Sequence, residues 1–167
     1  GIISDILAFD KAVGEALDFA KKDGNTLVIS AADHGNSGIT IGSTATDDTY
    51  DTAPLDSFIA PLKKAKLTGE GIERMFNTDR SNTEEVMAEY YGINDLTEEE
   101  ITAIKEAESD SMNKTVGPMI AKRANIGFTT KGHTGEDVPL YVYAPEGIDL
   151  LTGTVLNTDI TAYMEIA

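Results

Sequence analysis

The chain of 167 residues contains no cysteine. Disulfides, thiolate metal sites and a cysteine nucleophile are therefore excluded together. There is also no run of about 18 apolar residues, the length that a helix needs to span a bilayer, and no segment has the pattern of a signal peptide. What remains is a chain long enough to form one domain with a hydrophobic core.

Basic residues are scarce, with 13 Lys and Arg against 29 Asp and Glu, which gives a net charge of −16. A negative field repels the phosphate backbone, so we expect no nucleic-acid partner. The same field slows the approach of anionic substrates unless bound metal ions reverse its sign locally. Solubility alone also explains an acidic surface, so the charge does not select a function.

The first 31 residues have the pattern of a helix followed by a buried strand. Ile2 to Lys22 is amphipathic, Asp23-Gly24-Asn25 supplies a stop, and the apolar stretch Thr26–Ser30 is typical of a strand in a parallel sheet. We predict an α/β fold, part of a mostly parallel sheet flanked by helices. No capping residue precedes the helix, and the strand before it would lie upstream of Gly1. We therefore expect the C-terminal portion of a longer protein.

Three regions follow from these patterns. Residues 1–52 form a helix, a strand and a loop of the α/β core. Residues 53–125 are helical throughout, an insertion that we interpret as a cap or rim, with capping-box spacing at Ser81 and Glu84 and at Thr97 and Glu100. Residues 126–167 return to the core with a strand at 138–144 and a closing helix capped by Asn157 or Thr158.

Two histidines are the candidates for chemistry. Asp33-His34 directly follows the first predicted strand, where open α/β sheets place functional loops. An oxygen and an imidazole nitrogen suit Zn²⁺ or a similar divalent ion. The other histidine, His133, lies between glycines in Gly132-His-Thr-Gly135. A hydrogen-bonded turn residue is the alternative role for each histidine, and the residues alone leave this role and metal binding by Asp33, His34 and His133 together equally open.

Four segments resemble the alkaline phosphatases. Residues 1–20 resemble the helix before that family's Asp-His strand, and residues 26–34 are similar to the strand and its metal pair. Residues 127–144 resemble the second His motif and the strand after it, and residues 153–160 resemble the Asn-Thr-Asp start of the C-terminal helix. The resemblance covers both ends of the chain, whereas the helical middle carries little of it.

The resemblance implies hydrolysis of phosphomonoesters through a phosphoserine, with two Zn²⁺ and a nearby Mg²⁺. Asp33 and His34 would bind the zinc that activates the serine, and His133 would bind the zinc that holds the leaving-group oxygen. The serine, the phosphate-binding arginine and the remaining ligands would lie upstream, so no catalytic residue is assigned here and the metal sites of this chain alone could be empty. We expect that the chain alone does not turn over substrate.

Two alternatives stay open. Asp33-His-Gly-Asn36 also resembles the cofactor-independent phosphoglycerate mutases of the same superfamily, although the opening helix and Gly135-Glu-Asp-Val-Pro favour the phosphatases. A non-enzymatic helical binding module is the other. The family resemblance further implies a phosphomonoester or inorganic phosphate as ligand, a homodimer of the full-length protein, and a periplasmic, extracellular or cell-surface location.

Overall fold

The computed structural model describes all residues, Gly1–Ala167, and contains seven α-helices and six short strands. The helices are α1 (Ile2–Asp23), α2 (Asp56–Lys64), α3 (Gly69–Glu73), α4 (Thr83–Tyr91), α5 (Glu98–Glu106), α6 (Met112–Arg123) and α7 (Asn157–Ile166). The strands are β1 (Val28–Ala31), β2 (Gly35–Asn36), β3 (Thr40–Ile41), β4 (Ile126–Gly127), β5 (His133–Thr134) and β6 (Leu140–Tyr143). They pair in three two-stranded sheets, β1 with β6, β2 with β5 and β3 with β4. No helix is both long and apolar enough to cross a membrane.

The chain divides into two compact units. The first consists of Gly1–Gly35 and Thr134–Ala167, and the second is Asn36–His133. These boundaries come from packing, whereas the three regions predicted above follow sequence patterns. Whether residues 53–125 form a domain of their own stays a prediction.

The first unit begins with the predicted helix, which ends as expected. Gly24 takes up a left-handed conformation with φ of 74° and donates its N–H to Ala20 O at 2.9 Å. Glycine adopts this conformation without the steric cost of a Cβ atom, which is why the Asp-Gly-Asn sequence stops the helix here. The chain then turns into β1, so the predicted order of helix, turn and strand is confirmed.

The predicted parallel sheet is not found in this chain. β1 pairs antiparallel with β6, in a register that places Val28 opposite Tyr143 and Ala31 opposite Leu140. Residues 28–30 are half-buried rather than enclosed on both faces. An apolar strand sequence indicates burial, but it does not indicate whether the neighbouring strand runs parallel or antiparallel. This direction is set by the route of the chain between the strands.

The core of the first unit is small. Its buried apolar residues are Ala20 on α1 and Tyr163 on α7. The apolar stripe of α1 that predicted the helix stays exposed over its first half, and Ile6 retains 61% of its accessible surface. Periodicity therefore identified the helix correctly, although little of the unit itself covers its apolar face.

The second unit has a continuous core among its helices. α6 packs against α2, α3 and α5. At the contact of α3 with α6, Gly69 donates its N–H to Asn113 Oδ1 at 2.7 Å, and a Cβ atom on Gly69 would overlap the backbone of Asn113. The absence of a side chain lets the two helices approach closely. The buried cluster comprises Ile72, Val86, Met87, Tyr91, Ile93, Ile104, Met112, Val116 and Met119.

The helix starts predicted from sequence have different outcomes. Thr97 and Glu100 form a complete capping box, with Glu100 N–H to Thr97 Oγ1 at 3.2 Å and Thr97 N–H to a Glu100 carboxylate oxygen at 3.1 Å. The capping box predicted at Ser81 and Glu84 is wrong, because α4 starts one residue later with Asn82 at its N-cap and no side-chain cap. The prediction that Asn157 or Thr158 caps the closing helix is wrong, because Leu156 is the N-cap and the helix itself starts at Asn157. Asp159 accepts the N–H of Leu156 at 2.9 Å.

Candidate metal-binding site

Asp33 and His34 lie just beyond the end of β1, as the sequence predicts. Both belong to the first unit, whereas His133 is the last residue of the second. The structure therefore brings Asp33 and His34 together as neighbours in one turn. It contains no group of three or more His, Cys, Asp or Glu side chains arranged to hold a metal ion.

The ring of His34 is oriented by the backbone that follows it. Its Nδ1 lies 2.8 Å from the carbonyl oxygen of Gly35. A carbonyl oxygen only accepts, so Nδ1 carries the hydrogen, and in the neutral ring Nε2 keeps its lone pair. Histidine ligands of metal ions are held in this way, with one ring nitrogen donating to a carbonyl while the other binds the ion.

The carboxylate of Asp33 is oriented by the same turn. Its Oδ1 accepts the backbone N–H of His34 at 3.1 Å, and its Oδ2 lies 3.3 Å from His34 Nε2. The Asp33 side chain is 88% exposed and that of His34 is 36% exposed, so a solvated ion can reach the pair.

The separation of these two atoms matches a shared metal ion. Tetrahedral Zn²⁺ with bonds of about 2.0–2.1 Å keeps neighbouring ligand atoms roughly 3.3 Å apart. Two lone pairs that face each other at this distance are stabilised by a cation or a proton between them. Asp33 and His34 therefore fit as two ligands of one ion, and a complete site needs further ligands.

The third candidate, His133, follows a loop that is hydrogen-bonded to Ser37. Ser37 donates its N–H to Gly132 O at 2.8 Å, and Ser37 O accepts the N–H of Thr129 at 2.9 Å. Ser37 itself has a positive φ of 62°, which is unusual for a residue other than glycine. His133 is exposed at the start of β5.

Sequence reasoning missed one residue beside the pair, Glu136. Its carboxylate lies against Gly35, where a Cβ atom would overlap it. The nearby Thr134 hydroxyl lowers the pKa of Glu136, and the backbone N–H of Glu136 lowers this pKa further. Thr134 Oγ1 itself makes no hydrogen bond of normal geometry. Glu136 is therefore a carboxylate at neutral pH. Two features of the sequence could have pointed to Glu136. They are the glycine directly after the Asp-His pair and the Gly-Glu that follows His133-Thr134.

Comparison with a solved structure gives a match for the fold. The chain superimposes on a cold-active alkaline phosphatase from the psychrophile Shewanella sp. with a TM-score of 0.74. The match covers 95% of this chain and 38% of the other, at 22% identity. At this level of identity the likeness concerns the fold alone, and it is consistent with the predicted α/β class.

Comparison of sequences gives matches along nearly the whole chain. Alkaline phosphatase 3 and alkaline phosphatase 4 of Bacillus subtilis are each 34% identical to it, over 166 and 163 residues. These alignments cover 96% and 95% of this chain but 34% and 33% of the relatives, so the chain spans about a third of their length. The alkaline phosphatase family profile matches residues 1–167. The chain belongs to the alkaline phosphatase family.

Proposed function

We propose that this chain supplies part of the metal site of a phosphomonoester hydrolase. Asp33 and His34 would bind one Zn²⁺ and His133 a second, and Mg²⁺ would be held mostly by residues outside the chain. The family implies metal cofactors in general. The observation that carries the assignment is the 3.3 Å separation of Asp33 Oδ2 and His34 Nε2, with the ring oriented by Gly35 O.

The residues present act by binding and orienting. Gly35 O holds the proton on Nδ1 of His34, which leaves the lone pair on Nε2, next to Asp33 Oδ2, and the Asp33 carboxylate accepts the backbone N–H of His34. Two bound cations would stabilise the entering and leaving oxygens of an in-line displacement at phosphorus. They would also offset the negative field of a chain with a net charge of −16.

The serine nucleophile and the phosphate-binding arginine are proposed to lie in the longer protein. Arg80 and Arg123 already bind other groups of the chain. Arg80 donates to Ala107 O at 2.6 Å and to Glu73, and Arg123 donates to both carboxylate oxygens of Glu100 at 2.8 Å each. We therefore expect no turnover by the 167-residue chain alone.

The test uses the full-length protein that contains this chain, loaded with Zn²⁺ and Mg²⁺. It should hydrolyse p-nitrophenyl phosphate at alkaline pH. Asp33→Ala and His34→Ala should each reduce kcat/KM by at least about 100-fold, since each removes a metal ligand. Asp10→Ala, an exposed carboxylate on α1, is the matched control and should retain activity.

Two results would redirect the assignment. Isomerisation of 3-phosphoglycerate with a preference for Mn²⁺, without phosphatase activity, would support the mutase alternative suggested by Gly35-Asn36. Full activity in both ligand variants would remove Asp33 and His34 from the site. A full-length protein without either activity would leave the binding-module alternative. The predicted periplasmic, extracellular or cell-surface location is part of this proposal, and fractionation of the source cells tests it.

A further inference from the structure

Lys131 is the one lysine or arginine close in sequence to the candidate metal ligands. No lysine or arginine occurs in residues 23–62, which include Asp33 and His34, and Lys131 is the only one in residues 124–167, which include His133. The chain as a whole has a net charge of −16. A single cation at this place therefore changes the local field that an approaching anionic substrate meets.

The turn that carries Lys131 has a hydrogen-bonded backbone. Gly132 donates its N–H to Thr130 Oγ1 at 3.2 Å, a local turn of the kind that threonine hydroxyls stabilise, with Lys131 between the two residues. Ser37 binds the same turn, because it donates its N–H to Gly132 O at 2.8 Å and accepts the N–H of Thr129 at 2.9 Å. All of these residues belong to the second unit. Hydrogen bonds therefore position the backbone on both sides of Lys131.

The charge of Lys131 is available to a ligand. The residue is exposed, and none of the ion pairs of the chain involves it. Lys131 and His133 are two positions apart, so their Cα atoms lie within about 7 Å of each other. Salt screens an attraction over such a distance only in part, because the Debye length is about 8 Å at physiological ionic strength. Attraction between charges does not require one fixed side-chain geometry, and an exposed lysine can supply it.

We propose that Lys131 is a substrate-capture residue, whose ammonium group attracts the dianionic phosphate of a phosphomonoester to the metal site that contains His133. The inference rests on the proposed function for the identity of that site. An attraction of this kind acts on the approach and binding of the anion, and not on the displacement at phosphorus. It should therefore affect KM and phosphate binding, weaken with salt, and leave kcat almost unchanged.

The first experiment measures hydrolysis of p-nitrophenyl phosphate by the full-length protein, loaded with Zn²⁺ and Mg²⁺, at about pH 8 and low ionic strength. Lys131→Gln should raise KM about 3-fold and change kcat by less than about 2-fold, the size expected for one exposed charge. Lys131→Arg keeps the charge and should remain close to wild type. Lys114→Gln is the matched control, because it removes an exposed lysine of α6 and should leave KM unchanged.

Salt separates attraction from damage to the turn. At about 1 M NaCl, where the Debye length is about 3 Å, the KM values of Lys131→Gln and wild type should converge. Isothermal titration calorimetry with inorganic phosphate gives a readout without turnover, and its Kd should rise about 3-fold in Lys131→Gln. Equal KM and Kd values in the two proteins at low salt, or a difference that persists at high salt, would overturn the inference. Phosphate binding that Lys131→Gln weakens in a protein without hydrolysis would support the inference and overturn the proposed function instead.

Discussion

Arg80 is a buried arginine of the second unit that contacts several polar groups. It donates to the carbonyls of Ile104 and Ala107 at the end of α5 and to Glu73 Oε1 at 2.8 Å. Its guanidinium also lies 6.0 Å from the centre of the Phe76 ring. The carbonyls at a helix end have no partner within the helix, and a guanidinium with five donors can satisfy several of them at once.

We predict that Arg80→Met destabilises the chain by about 3 kcal/mol, since it removes the largely buried guanidinium that donates to the Glu73 carboxylate and to the carbonyls at the end of α5. Urea unfolding followed by circular dichroism measures the change. Arg74→Met is the matched control, because Arg74 is exposed and should cost less than about 0.5 kcal/mol. A similar loss in both variants would contradict the role assigned to Arg80.

At the scale of single elements, the helix starts show that other contacts can override a capping pattern in the sequence. Ser81 and Glu84 have the same spacing as Thr97 and Glu100, yet only the second pair caps its helix. Asn82 is drawn into the preceding turn, where its Oδ1 accepts the N–H of Asn77 at 2.8 Å and its Nδ2 donates to Met75 O. This turn determines where α4 begins.

We therefore predict that substitutions at Thr97 and Ser81 lower the free energy of unfolding by different amounts. Thr97→Ala should cost about 1 kcal/mol, the usual value for loss of an N-cap side chain. Ser81→Ala should cost less than about 0.5 kcal/mol, because the contacts of its hydroxyl with Asn77 Nδ2 and Asp79 are local and lie at an exposed position. Chemical denaturation measures both variants, and equal losses would show that Ser81 caps α4 after all.

The contact of α5 with α6 predicts a pH dependence. Arg123 lowers the pKa of Glu100 below its usual value of 4.5 by donating to both carboxylate oxygens. A carboxylate whose pKa is depressed on folding contributes stability above its unfolded pKa, and this is lost as the pH falls through the folded value. Stability should therefore fall with acid below about pH 4.5, the ordinary pKa of the group.

The variant Glu100→Gln should be less stable than wild type at pH 7, and the difference should shrink as the pH is lowered towards 3. Thermal unfolding at several pH values measures it. Glu106→Gln, on the last residue of the same helix, is the control and should leave the pH profile close to wild type. A constant difference between Glu100→Gln and wild type across this range would contradict the assignment.

At the scale of the whole molecule, the two units differ in how much apolar surface they bury. The second unit encloses a cluster of nine buried residues, while the first encloses few. Local opening is easiest where few apolar contacts hold an element in place. Hydrogen exchange should therefore protect the amides of α4 and α6 longer than those of α1 and β1 in the isolated chain, as read by mass spectrometry of peptides. Equal protection would contradict this difference.

Features that depend on neighbouring residues could be predicted from the sequence. The end of α1 at Gly24, the capping box of Thr97 and Glu100, and the strand leading to Asp33-His34 are all local, because the groups involved lie within a few positions of one another. Short segments at the two ends of the chain also carry the resemblance to the alkaline phosphatases. This resemblance identified the family that the comparisons along the whole chain show.

Contacts between residues that are distant along the chain could not be predicted, because they depend on how the chain folds. The fold set β1 antiparallel to β6, directed Arg80 to the end of α5, and placed Glu136 against Gly35. Hydrophobic periodicity indicates which face of an element is apolar, but not which partner that face meets, because the hydrophobic effect is non-directional. The Asp33-His34 pair could be found by pattern alone, while the position of Glu136 beside Gly35 required the fold.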